Sequence, residues 1–233
     1  AVLAILNNAA VARWIAGDVR GAHELQETVA RIAGARAAAG EPPLYSLINR
    51  AVGLVALGRL DEAEPLARRG LEVAELTQAP ALWHQRALLA LANAANDRAE
   101  PLVAQTWLDR ARASVPAAEP GNDLHGPAIA QARVFQLRGQ PQQAQEALEP
   151  VIAAHANATR PSSTHAAALR RRGDLRLEAG DAAGALTDAE QAADIGRQLL
   201  GGRPHALRIG QAWLLAARAR AARSIRCRRS WKN

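Results

Sequence analysis

Small and apolar residues recur at i, i+4 and i+7 in four separate places along the chain: Ala63, Ala67, Gly70; Ala104, Leu108, Ala111; Ala144, Leu148, Val151; and Ala185, Ala189, Ala192. That spacing returns a side chain to one face of a helix. Breaks rich in Pro and Gly separate the apolar blocks: GEPP at 40–43, TQAP at 77–80, AAEPGNDLHGP at 117–127, TRPSS at 159–163 and GGRP at 201–204. Pro suits the first turn of the helix that follows such a break. Each block is divided once more by a Gly followed by a short polar or acidic turn, as at Gly17, Gly58, Gly139 and Gly180. A Gly there takes the left-handed conformation that closes a helix. The pattern therefore predicts pairs of helices, each pair joined by a tight turn, with nothing that alternates as a strand does.

The four glycines stand 41, 81 and 41 residues apart, so a copy is due near position 99, and Ala99 in NDRAEPLVAQTWLDRARA fills it. Two columns tie the five copies together. Seven residues before the turn stand Ala10, Ala51, Ala92, Ala132 and Gly173; five after it stand Ala22, Ala63, Ala104, Ala144 and Ala185. Two columns of small residues at a fixed offset identify a repeat array in which paired helices cross closely. The units are expected at about 3–38, 44–77, 81–115, 127–157 and 165–200. Residues 205–223 then read as the first helix of an incomplete sixth unit or cap, and 224–233 as a basic disordered tail.

The small residue ahead of the turn, the Gly at the turn and the Ala after it resemble the tetratricopeptide (TPR) repeat. The 41-residue step, with LNNAAVARWIAGD and GRLDEAEPL, resembles the longer repeats of kinesin light chains. The family's bulky aromatic column is here Arg13, Leu54, Ala95, Phe135 and Arg176, and only Phe135 conforms. The resemblance implies an all-α, right-handed solenoid whose first helices line a concave groove that holds peptide or protein segments. In that register the groove set is Asn7, Asn8, Trp14, Asn49, Arg86, Asn93, Arg133, Gln136, Arg170 and Asp174, continued by Arg208 and Gln211. Asn both donates to and accepts from a peptide backbone, and the planar fork of Arg binds carboxylates in two-pronged fashion.

Charge changes this picture only at one end. The net charge is +7, and Arg218, Arg220, Arg223, Arg226, Arg228, Arg229 and Lys232 account for all of it, so the preceding 217 residues are neutral. Any attraction for nucleic acid rests on that tail alone. Cys227 is the only cysteine, which leaves no internal disulfide and no cysteine-rich zinc site. The six histidines, at 23, 84, 125, 155, 165 and 205, lack a ligand spacing such as HExxH and read as exposed helix or loop residues, so no metal and no cofactor is expected. RRRGD at 170–174 reads as a charge run facing the groove. No phosphate-cradling loop or kinase catalytic sequence is seen, and the chain reads as a binding scaffold and not a catalyst, with no small-molecule substrate.

The N-terminal stretch has neither a basic flank nor a long apolar run, which gives the expectation of a cytoplasmic protein without a membrane span. The absence of Met, even at position 1, gives the expectation of a processed form or an excerpt. The Ala/Arg-rich, Lys-poor composition resembles bacterial serine/threonine kinases that carry such repeats after the catalytic domain. The alternative reading is therefore the C-terminal sensor or docking region of a larger bacterial signalling protein, a kinase of that type or a transcription regulator.

Overall fold

The computed structural model describes residues 2–36, 42–114, 125–201 and 207–230, and among these there are eleven helices and no strand. They are α1 (Val2–Ala16), α2 (Val19–Arg36), α3 (Leu44–Ala56), α4 (Leu60–Leu76), α5 (Ala81–Asp97), α6 (Pro101–Ala113), α7 (His125–Leu137), α8 (Pro141–Ala156), α9 (Ser163–Glu178), α10 (Ala182–Leu199) and α11 (Leu207–Ser230). Helices pack in sequence order, α1 with α2, α2 with α3, and so on through α10 with α11. First helices of successive units also touch, α3 with α5, α5 with α7, α7 with α9 and α9 with α11. Second helices do not pack on one another in this way, so the array curves with the first helices on its inner side. The bend is large enough for α1 to meet α10.

Five turns with one geometry set the repeat. The amide of the turn residue donates three residues back, and the next amide donates five back: Gly17 to Trp14 and Asp18 to Arg13, Gly58 to Val55 and Arg59 to Leu54, Gly139 to Gln136 and Gln140 to Phe135, Gly180 to Leu177 and Asp181 to Arg176. This pairing uses up carbonyls that the end of a helix leaves orphaned. It needs a left-handed residue, and the four glycines have φ between +70° and +88°. Ala99 adopts the same conformation at φ +59°, with Ala99 donating to Asn96 and Glu100 to Ala95. The missing glycine of the third unit is thus replaced by a strained alanine, and the turn survives intact.

The small columns are the helix crossings. Their nine alanines are at most 4% exposed and Gly173 is buried. A Cβ at Gly173 would lie 2.7 Å from Leu215 Cδ2 and 3.3 Å from the Ala185 carbonyl oxygen, so a side chain there would displace Leu215 and crowd the carbonyl. Around the crossings the apolar residues merge from unit to unit: Ala132, Leu148, Leu169, Ala193 and Ala212, from α7 to α11, belong to one cluster.

The aromatic column is filled in three ways. Leu54 and Ala95 are buried, and Phe135 packs half-buried against the core. Arg13 and Arg176 instead cross the turn, each bringing Nη1 to a carbonyl in the first turn of the next helix, Gly21 at 3.5 Å and Gly184 at 3.4 Å.

Two expectations are corrected here. Residues 224–230 were expected to lack structure, but α11 runs on through Ser230. No Gly or Pro follows Gly210, and Ala and Arg favour the helix. Positions 231–233 lie outside the described residues. The histidines are not surface residues as a group. His23 and His165 are buried, and the half-buried His125 and His155 join His165 in a row of ring contacts at 5.1 and 5.6 Å between centroids. His205 lies outside the described residues. The His155–His165 contact lies where the fourth unit meets the fifth, and a flat, partly apolar ring packs well there.

Three expectations for stability follow from these contacts. Ala104→Leu or Ala144→Leu overpacks a crossing and is expected to lower stability by about 1–3 kcal/mol in denaturant unfolding. Ala99→Gly should raise it by about 0.5 kcal/mol, because the left-handed penalty of an L-residue exceeds the extra chain entropy that glycine loses. The third concerns acid. His23 Nε2 lies 3.1 Å from Arg59 Nη1, and a guanidinium only donates, so the imidazole accepts and is neutral. Burial holds its pKa below the ordinary value; Glu27 and Glu62 oppose that shift, and Arg59 and Arg50 add to it. His165 is lowered likewise, by burial and then by His155 and Arg172. A lowered base contributes stability that is complete above the unfolded value near 6.5 and is lost as pH falls below it. Thermal melts from pH 7.5 to 5 should show this loss, and a variant with both His23→Gln and His165→Gln should show a smaller one.

Candidate functional site

The inner face is built by one stripe from each first helix. Each stripe stands on a helix whose rotation is fixed by the small column a few residues away, which is why positions a repeat apart line up in space. On α1 and α3 the stripe is amide and apolar, with Asn8 and Ile5 exposed and Tyr45, Asn49 and Val52 half-buried. From α5 onward it is charged.

Several of the residues singled out in the sequence bind one another. Asn7 Oδ1 accepts from Asn49 Nδ2 at 3.0 Å and from Gln26 Nε2 at 3.1 Å, so Asn7 is a tie between the first two units. Asn49 keeps its oxygen, and Asn8 stands exposed beside Asn7 in sequence. Gln136 Nε2 donates to Glu178 Oε1 of the next unit at 2.6 Å, while its oxygen accepts from Arg133 Nη1 at 2.9 Å. Asn96, in the same column as Gln136, is buried and donates to the Ala130 carbonyl of α7 at 3.0 Å. Trp14 belongs to that column and is half-buried. Arg86 is exposed and lies over its neighbour Trp83 at 5.5 Å, and Asn93 is half-buried. Gln211 is half-buried on α11; the Arg208 side chain lies outside the described residues.

The run RRRGD does not face one way, because successive helical residues diverge by about 100°. Arg170 and Asp174 pair at 3.5 Å on the inner face, where Arg218 of α11 also reaches Asp174 at 3.4 Å. Arg172 turns outward to α10 and makes a two-pronged pair with the buried Asp188 at 2.8 and 3.1 Å. Arg176, one turn on, reaches the same carboxylate at 3.0 Å. The expectation of a single groove-facing charge run is therefore corrected, and Asp188 is the partner that divides it.

Arg171 is an inner-face residue that the sequence reading named only as part of the run RRRGD. Its Nη1 makes a long contact of 3.4 Å to Gln136, and its Nε is buried with no partner. Burial, then the neighbouring Arg170 and Arg133, lower its pKa to about 10, against the pull of Asp174 and Asp97. It stays charged at neutral pH. Asp97, at the end of α5, feels the reverse: desolvation raises its pKa although Arg171, Arg133 and Arg170 all lower it. Three guanidiniums thus crowd one place, with carboxylates that compensate them in part. The repeat column does point to Arg171, since its counterparts include Asn8 and Asn49 of the groove set beside Ala90 and Ala130.

Among the described residues no helix is long and apolar enough to cross a membrane, and no group of three potential ligands is arranged to hold a metal ion.

No protein-family model matches the chain, and no curated protein sequence matches it. Solved structures do. A thermophilic TPR protein of Thermus thermophilus, TTC0263, is 16% identical with a TM-score of 0.55, over 91% of this chain and 99% of that one. BtubC (BKLC) from P. vanneervenii is 16% identical with a TM-score of 0.50, over 97% and 92%. A kinesin-light-chain-type protein of Podosopora anserina with nearly identical TPR-like repeats is 23% identical with a TM-score of 0.49, over 84% and 95%. At these identities the likeness is one of fold: the chain has the all-α solenoid architecture of tetratricopeptide-repeat proteins.

Proposed function

We propose that this array is a protein-interaction scaffold whose inner face holds an extended protein segment. The observation that carries the proposal is the crowding of Arg133, Arg170 and Arg171, with a buried Nε on Arg171 that no group satisfies. A cationic cluster held together against its own repulsion gains more from an incoming anion than isolated surface arginines do, because part of the desolvation has already taken place. Acidic side chains or a terminal carboxylate are the matching groups. At the other end, Asn8 and the free oxygen of Asn49 suit the backbone of the same segment, with Ile5 and Val52 beside them as apolar contacts. Arg86 and Asn93, on α5, lie between the two ends. The scaffold contributes binding and no chemistry of its own.

The Ala/Arg-rich, Lys-poor composition supports a second placement of the same groove, as the docking or sensor region of a larger signalling protein. It changes the neighbour and not the site.

A peptide selected from a displayed random library against the purified chain tests the reading, with affinity then measured by calorimetry. Selected sequences should be acidic, and Asn8→Ala and Arg133→Ala should each weaken binding by roughly tenfold, the usual size for a well-placed contact. Affinity should also fall as salt rises. Neutral selected peptides, or unchanged affinity in both variants, would show that the segment binds elsewhere.

A further inference from the structure

Two arginines of the inner face share one neutral oxygen. Gln136 Oε1 accepts from Arg133 Nη1 of α7 at 2.9 Å and from Arg171 Nη1 of α9 at 3.4 Å. Glu178 decides which end of the amide does so, because it accepts from Gln136 Nε2 at 2.6 Å and leaves the oxygen to the guanidiniums. Among the described residues no carboxylate oxygen lies within 4.0 Å of a guanidinium nitrogen of Arg133 or Arg171. The arginines around them are paired. Arg170 holds Asp174 at 3.5 Å, and Arg218 of α11 holds the other oxygen of that carboxylate at 3.4 Å. Asp174 therefore keeps a partner when Arg170 turns away.

An amide oxygen accepts hydrogen bonds from two guanidiniums without meeting their charge. Both arginines are half-buried, and Arg171 Nε is buried with no partner. What is missing at this place is an anion with more than one charge and more than two oxygens. A phosphate monoester brings about −1.5 to −2 at neutral pH and three terminal oxygens, whereas a carboxylate brings a single charge and two. The acidic residues nearby limit the anion to one group. A run of phosphates, as in a nucleic acid, would press further charge against Asp97, Asp174 and Glu178, which stand around the cluster.

We propose that the place between α7 and α9 receives the phosphate of a phosphorylated Ser or Thr in a bound protein segment, held by Arg133 and Arg171, with Arg170 turning in from Asp174. The proposal rests on the reading of the inner face as a holder of protein segments and names the group it selects. Gln136 is then the acceptor that keeps the two guanidiniums together while the phosphate is away.

Three degenerate peptide libraries, identical except for phosphoserine, Glu or Ser at the centre, are the probes, passed over the immobilised full chain at low salt. The phosphoserine library should be retained about tenfold or more above the Glu library, because a doubly charged group meets both forks. Arg171→Met should abolish that preference. Arg133→Gln should do the same, and it decides the matter alone should Arg171→Met fail to fold. Arg223→Ala on α11 should leave the preference intact. Lowering the pH through about 6, where a phosphate monoester takes up its second proton, should shrink it. Equal retention of the phosphoserine and Glu libraries would overturn the proposal and leave the inner face a holder of acidic segments, while retention of no library would overturn both readings. Inorganic phosphate bound as tightly as the phosphopeptides in calorimetry would make the free ion the ligand and likewise overturn it.

Discussion

How closely two helices can cross decides most of this structure. Packed helices lie about 8–10 Å apart according to the side chains at their contact, and here that contact is Ala or Gly in every complete unit. The Gly173 crossing, where even a methyl group would push Leu215 aside and press on the Ala185 carbonyl, shows how little slack there is. Because the same short distance is imposed five times, the small rotation it produces accumulates into one curve. The curve puts first helices inside, and the inside is where amides and arginines from different units come within reach of one another.

The inner face is therefore a property of the seams. Asn7 with Asn49, Asn96 with the Ala130 carbonyl, Gln136 with Glu178 and Asp174 with Arg218 each join a unit to the next. In an array where each unit contacts mainly its neighbours, stability is close to a sum of unit and seam terms. A segment lying along this face would touch the seams as well as the units. Binding and curvature are then coupled through the same side chains, with the histidine-lined junctions on either side of the central units.

The repeat was legible in the sequence because its cause is steric and local. A helix end that needs a left-handed residue selects Gly, and a close crossing selects Ala, so both leave columns. Ala99 fell into its place by counting alone, and the structure gives it the left-handed conformation of its glycine counterparts. The site was legible only in outline. Asn7 and Asn49 were assigned to one face, but nothing in the sequence says that they bind each other. Arg171 was not singled out within its run, whose members look identical, although its column holds Asn8 and Asn49. The extension of α11 beyond 223 was missed because the basic residues were weighed as charge, while their helix propensity, and the lack of any breaker, decided the outcome.

Asp188 shows why such a run cannot be apportioned from sequence. It is buried on α10 between Arg172 and Arg176, which lie one turn apart on the same side of α9. Two charge-assisted bonds from positions i and i+4 fix the rotation of a helix about its own axis more firmly than apolar contacts do, since they are directional. With Arg172 drawn outward, Arg170 and Arg171 are left on the side that looks inward, where Arg133 from α7 and Asp97 from α5 meet them. The crowding that lowers the Arg171 pKa is thus sustained from behind by a buried carboxylate on the opposite side of the helix. The arrangement of charges on the inner face depends on a contact that faces away from it.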